Sequence, residues 1–127
     1  MHGRSGQRSS RARGRYGEAL AEKHLRQHGY RILTRNLHLR HAEIDLLALD
    51  GEILCFIEVR SRATNRFGTP EESVDVRKQR RLVRGARTVL ARGGLPRHKA
   101  VRFDVVAIET NQVPPIVRLT RNAFYLP

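Results

Sequence analysis

Two hydrophobic rhythms run along this chain, one of helical spacing and one of strands. From about Gly14 to His28, alanines and leucines are interleaved with charged residues, and Gly29 supplies a C-terminal stop. Residues 31–36 read as a short strand, with Asn36 in the turn after it. Residues 42–49 and 52–60 are rich in Ile and Leu and are separated by Asp50-Gly51, a dipeptide that favours tight hairpins. The run Ile53 to Val59 is apolar on both faces, which marks a central strand covered on both sides. A polar loop, 61–69, leads to Thr69, Pro70 and Glu72, a capping pattern with proline at the first helical position. The helix that follows runs to Arg92 and stops at Gly93-Gly94, with a break near Asp75 allowed. Its Leu82, Val83, Ala86, Val89 and Leu90 share one face, and Arg77, Arg80, Arg81, Arg84 and Arg87 share the opposite one. Strands at 101–109 and, beyond Pro114-Pro115, at 116–121 complete the set. Helix, three strands, helix, two strands predicts an α/β domain around a mixed central sheet of about five strands flanked by helices.

The length, 127 residues, suits one domain, here 14–127, preceded by a flexible basic arm over residues 1–13. Composition then adds a direction. Against 12 Asp and Glu stand 25 Lys and Arg, a net charge of +13. Arg4, Arg8, Arg11, Arg13 and Arg15 all precede the first acid, Glu18; without those five the balance is still 20 against 12, or +8. A charge this lopsided favours a polyanionic partner, because each phosphate neutralised releases condensed counterions. Arg97, His98, Lys99 and Arg102 add a second basic cluster. The single thiol, Cys55, excludes an internal disulfide and a cysteine-based zinc site, and its apolar setting makes it a core residue. No apolar stretch approaches the roughly 20 residues that span a bilayer. No apolar segment follows the basic N-terminus, so a secretory signal is not expected either. The expectation is a cytoplasmic protein with no membrane partner.

The hairpin carries the strongest chemical signal. With Asp50-Gly51 as a two-residue loop, Asp45 lies opposite Phe56 and Glu43 opposite Glu58. Strand side chains alternate, so Glu43, Asp45, Phe56, Glu58 and Arg60 share one face. Asp45 and Glu58 are then diagonal neighbours at about 7–8 Å, close enough to converge on one divalent cation. Oxygen ligands suit Mg²⁺ or Mn²⁺. The competing account is a strand end whose acids pair with nearby arginines. Glu18 shares a helix face with Ala21 and Leu25; either a cation draws it there, or it is an ordinary first-turn glutamate. Gln79, near the apolar face of the second helix, either points into the site or satisfies a buried backbone group. His24 and His28, at i and i+4, are explained as well by a helix surface as by a metal.

These residues resemble the YraN-like family of bacterial proteins, relatives of the PD-(D/E)XK nuclease superfamily and the archaeal Holliday-junction resolvases. The matching stretches are Gly14 to Ala21, Glu43 to Leu46, Phe56 to Arg60, Phe67 to Pro70, Val74-Asp75 with Lys78-Gln79, and Arg102 to Val106. The resemblance implies a restriction-endonuclease-like core with Glu18, Asp45 and Glu58 as acidic, metal-binding positions. Arg60 stands where the superfamily usually carries lysine. Arginine stays protonated and cannot act as a base, although it can hold a phosphate through two hydrogen bonds. An active enzyme would then use metal-bound water, or Lys78 reaching in from the helix. Relatives among the resolvases act as dimers, which implies a homodimer.

Two functions compete. One is a metal-dependent endonuclease acting on DNA, including branched or structured DNA, with Asp45, Glu58, Arg60 and Lys78 as its catalytic group. The other is a non-catalytic DNA- or RNA-binding module that keeps the fold, bound through Arg77, Arg80, Arg81, Arg84 and Arg87. DNA is preferred to RNA as the partner. A third reading, an assembly protein docking on a larger complex, has no docking motif to support it.

Overall fold

The computed structural model describes residues 2–125, with side chains from Gly14 onward. Its element order is α1 (His2–Gln27), β1 (Tyr30–His38), β2 (Glu43–Asp50), β3 (Ile53–Arg62), a 3₁₀ turn at Glu71–Ser73, α2 (Val76–Arg92), β4 (Ala100–Glu109) and β5 (Ile116–Phe124). The strands form one sheet in the order β1-β2-β3-β4-β5. β3 and β4 are parallel and every other pair is antiparallel. The parallel pair needs a long crossover, and α2 supplies it. This is the mixed five-stranded α/β arrangement expected of a restriction-endonuclease-like core.

Each helix covers one face of the sheet. Ala21 and Leu25 of α1 pack with Leu46, Ala48, Cys55, Ile57, Val106 and Ile108. Leu82, Val83, Ala86 and Val89 of α2 pack with Leu47, Leu54, Phe56, Phe103, Val105 and Phe124. Residues 54–57 of β3 are all buried because alternate side chains enter alternate cores. Cys55 is completely buried, as its apolar neighbours predict. None of the described helices is long and apolar enough to cross a membrane.

Several boundaries differ from the sequence reading. The helical backbone of α1 starts at His2 rather than Gly14, and so continues through the segment expected to be an arm. The side chains of that segment lie outside the described residues. β1 runs through Asn36 to His38, because a register shift between Ile32 and Thr34 lets Leu37 pair with Ile44. The hairpin loop is Gly51-Glu52, since Asp50 pairs with Ile53, Leu47 with Phe56 and Leu46 with Ile57. Gly51, at φ 60°, takes the left-handed position of the turn, and Asp50 stays in the strand, where Arg102 holds it at 2.6 Å. The pairing moves by two positions, so Asp45 comes level with Glu58 instead of Phe56, and alternation breaks at Asp45, because Ile44 lies in the α2 core and Leu46 in the α1 core. The helix after Pro70 is broken as the sequence allowed. Asp75 caps α2 by accepting from Lys78 N at 2.9 Å. β5 extends past residue 121 to Phe124, which stacks on Phe103 in the core.

Candidate functional site

The start of β2 and the end of β3 meet at one end of the sheet, and regular pairing between them stops at Leu46 and Ile57. Beyond that point Asp45 takes over the ladder: its Oδ2 accepts from Val59 N at 2.8 Å. The Asp45 carboxyl also hydrogen-bonds the Glu58 carboxyl, which is buried. Burial, the shared hydrogen bond and the negative charge of Glu58 push Asp45 up to about 8. Asp45 therefore keeps its proton at neutral pH and presents it to Glu58. Lys78 enters from the first turn of α2, its Nζ 3.4 Å from Glu58 Oε2. That oxygen is buried and makes no hydrogen bond among the described residues, and neither does Arg60 Nε.

Glu18 comes from the other side of the sheet. It is half-buried on α1 and lines a cleft of about 260 Å³ with Gly14, Gly17, Asp45, Arg60 and Ser73. Gly17 seats the helix here: a Cβ at this position would lie 3.4 Å from Ser61 Cβ. The fold thus gathers five predicted residues, Glu18, Asp45, Glu58, Arg60 and Lys78, around the end of β3. Two neighbouring carboxyls, Glu58 buried and Asp45 half-buried, with one Glu58 oxygen making no hydrogen bond, suit a hard divalent cation such as Mg²⁺ or Mn²⁺. Asp45 and Glu58 are the residues that could hold it. Glu18 borders the same cleft, but among the described residues no three His, Cys, Asp or Glu side chains are grouped closely enough to hold a metal. The sequence expectation of three converging acids is met by two.

Other expected site residues are placed elsewhere. Glu43 is exposed and faces His38 at 3.7 Å rather than Glu58. The reason is the register, which puts Asp45 where Glu43 was expected. Gln79 donates its amide to Val74 O at 3.0 Å. It satisfies the carbonyl freed by the break before α2 and does not enter the site. Arg77, Arg80, Arg81, Arg84 and Arg87 are all exposed along α2, as the helical pattern predicts. The 97–102 cluster is dispersed. Lys99 pairs with Glu52 at 3.1 Å, and Arg102 turns inward.

Arg102 belongs to a network that sequence reasoning missed. Asp104, fully buried, accepts from Arg102 Nε at 2.8 Å, Tyr30 Oη at 2.7 Å and Asn122 N at 2.9 Å. Burial alone would raise Asp104, but the bonds from Arg102, Tyr30 and Asn122 hold it below the ordinary carboxylate value. This network ties β1, β2, β4 and β5 together at the end of the sheet opposite Asp45. A second clamp, Arg118 with Glu71 and Glu109, fastens the 3₁₀ turn to β4 and β5. The one available signal was an acid inside an apolar run at Asp104, which demands a buried partner.

Known proteins match most of this sequence. Residues 17–108 match the uncharacterised protein family UPF0102. A UPF0102 protein of Chlorobium chlorochromatii is 47% identical over 98 residues, covering 77% of this chain and 74% of its own. One from Symbiobacterium thermophilum is 46% identical over 117 residues, 91% of this chain and 98% of its own. One from an Anaeromyxobacter species is 45% identical over 115 residues, 90% and 85% of the two chains. The matched span contains Glu18, Asp45, Glu58, Arg60 and Lys78. The chain therefore belongs to the uncharacterised protein family UPF0102, in agreement with the YraN-like resemblance of its motifs.

Proposed function

We propose that this protein is a cytoplasmic metal-dependent endonuclease that cuts DNA, including branched or structured DNA, by attack of water on a phosphodiester. The observation that carries this reading is the half-buried Asp45 against the buried Glu58, with Lys78 Nζ 3.4 Å from Glu58. Two acids and a lysine at the end of a basic helix form a costly arrangement for a merely structural strand end. Asp45 and Glu58 would hold Mg²⁺ or Mn²⁺, with Glu18 approaching from the facing side of the cleft. Such an ion, when bound, neutralises charge on the phosphate and makes water a better nucleophile. Of the two cations, Lys78 is the one whose side chain type can release a proton, since a guanidinium stays protonated. Arg60, lining the cleft beside Asp45, is suited to grip the phosphate under attack. Exposed arginines among those of α2 would bind flanking phosphates, which fixes position without base preference. The resolvase-like resemblance adds a homodimer as the assembly that would present two such sites to a junction.

A second reading, a non-catalytic DNA- or RNA-binding module, is favoured by one specific observation. Only two acids converge, and Lys78 already supplies Glu58 with a positive neighbour. The separating experiment incubates labelled four-way junction, duplex and single-stranded DNA with Mg²⁺ or Mn²⁺, beside Asp45→Ala and Glu58→Ala. Cleavage by the parent protein that is lost in both variants supports the nuclease. Binding without cleavage, equal in all three proteins, refutes it in favour of the binder.

A further inference from the structure

The basic flank of α2 is not a uniform stripe. Two clefts lie end to end along it. The one nearer the carboxylates is lined by His38, His41, Glu43, Lys78 and Arg81. The next is lined by Arg40, His41, Arg84, Arg87, Thr88 and Arg92. Leu39, His41 and Ala42, in the turn between β1 and β2, line both.

Gly85 makes this continuity possible. A Cβ there would lie 3.0 Å from Ala42 Cβ and 3.2 Å from Leu39 Cδ1, so only glycine lets the turn rest directly on the helix. Leu39 N donates to Ala42 O at 2.8 Å and closes the turn. Arg40 and His41 are thereby pinned beside the arginines of α2. No acid is among the residues that line the second cleft. Like charges held together by backbone packing repel, and a polyanion relieves that repulsion. The groove also has a length. The 14 residue steps from Lys78 to Arg92 rise about 21 Å. That matches roughly six phosphates of one strand measured along a duplex axis. Arg77 and Arg80 are exposed on the same helix but line neither cleft.

We infer that this groove is the track for one nucleic-acid strand flanking the Asp45–Glu58 site. Arg81, Arg84 and Arg92 of α2 and Arg40 of the β1–β2 turn contact successive phosphates, and Arg77 and Arg80 take no part. The inference rests on the nucleic-acid reading above but does not need cleavage.

The test measures binding of a labelled mixed-sequence duplex about 24 base pairs long. It is done in EDTA, so that metal chemistry plays no role, over salt from about 50 to about 300 mM. The full chain is compared with Arg40→Ala/Arg84→Ala/Arg92→Ala and with Arg77→Ala/Arg80→Ala. All five side chains are exposed, and melting curves check that the fold is kept. The groove variant should lose about three from the slope of log affinity against log salt, at about 0.9 per phosphate contact. The Arg77/Arg80 variant should keep the parent slope. Equal loss per residue in both variants would overturn the track in favour of a general basic face. An unchanged slope in the groove variant overturns it as well. No binding by the parent chain would remove the nucleic-acid reading itself.

Discussion

Asp45→Asn separates charge from geometry at the heart of the site. Asparagine can still accept from Val59 N and can donate to Glu58, so both contacts of the native side chain survive. What it removes is a titration. In the folded protein Asp45 is raised to about 8, against about 3.9 in an unfolded chain. A raised value means the associated stability is fully present below about pH 4 and is lost as pH rises through about 8. At 1.36 kcal/mol per pH unit, the displacement from about 3.9 to about 8 is worth at most about 6 kcal/mol. Sharing of the proton with Glu58 and the positive charge of Lys78 reduce this, and a difference of about 1–3 kcal/mol is the expectation at pH 8. In EDTA, guanidinium unfolding followed by far-ultraviolet circular dichroism should show the two proteins nearly equal at pH 4. At pH 8 the asparagine variant should be the more stable, by several degrees in Tm. Saturating Mg²⁺ at pH 8 should then raise the Tm of the parent and leave the variant unmoved. A variant that parallels the parent at both pH values, or falls below it at pH 8, would show that these carboxyls are not a strained pair.

Two further outcomes follow from buried groups away from the site. Asp104→Ala should cost about 3–5 kcal/mol at pH 7, because it takes the buried acceptor from Tyr30 and Asn122 N and leaves the half-buried Arg102 with Asp50 as its remaining carboxylate. Asp104 is held below its ordinary value, so its stabilisation is present at neutral pH and is lost as pH falls through the folded value. The deficit in urea unfolding should therefore narrow in strong acid, and a variant as stable as the parent at pH 7 would contradict the network. Cys55 is pushed up to about 12, chiefly by burial. It should resist a thiol reagent at pH 8 in the native protein and react at once in denaturant, whereas rapid native labelling would contradict its placement in the core.

Period and punctuation made most of the fold legible from residues alone. The 3.6-residue pattern of Leu82, Val83, Ala86 and Val89 and the doubly apolar run of β3 are local signals, and the second helix and the central strand carry them where they were read. That Asp45, Glu58 and Arg60 would come together at one strand end was legible in the same way, from strand spacing. Register was not. Whether Asp45 faces Phe56 or Glu58 depends on which residues turn, and that is decided by Gly51 at φ 60° together with the grip of Arg102 on Asp50, some 50 residues along the chain. Glu43 was misplaced because a slipped pairing is an event between elements, and for the same reason only the structure chose the backbone-satisfying alternative for Gln79. Arg102 looked like one more surface cation until β4 buried Asp104 beside it. Sequence determined which side chains could meet, because their spacing sets the face. The tertiary structure decided which of them did, because only packing at long range fixes register, desolvates the carboxylates and brings Lys78 across from another layer.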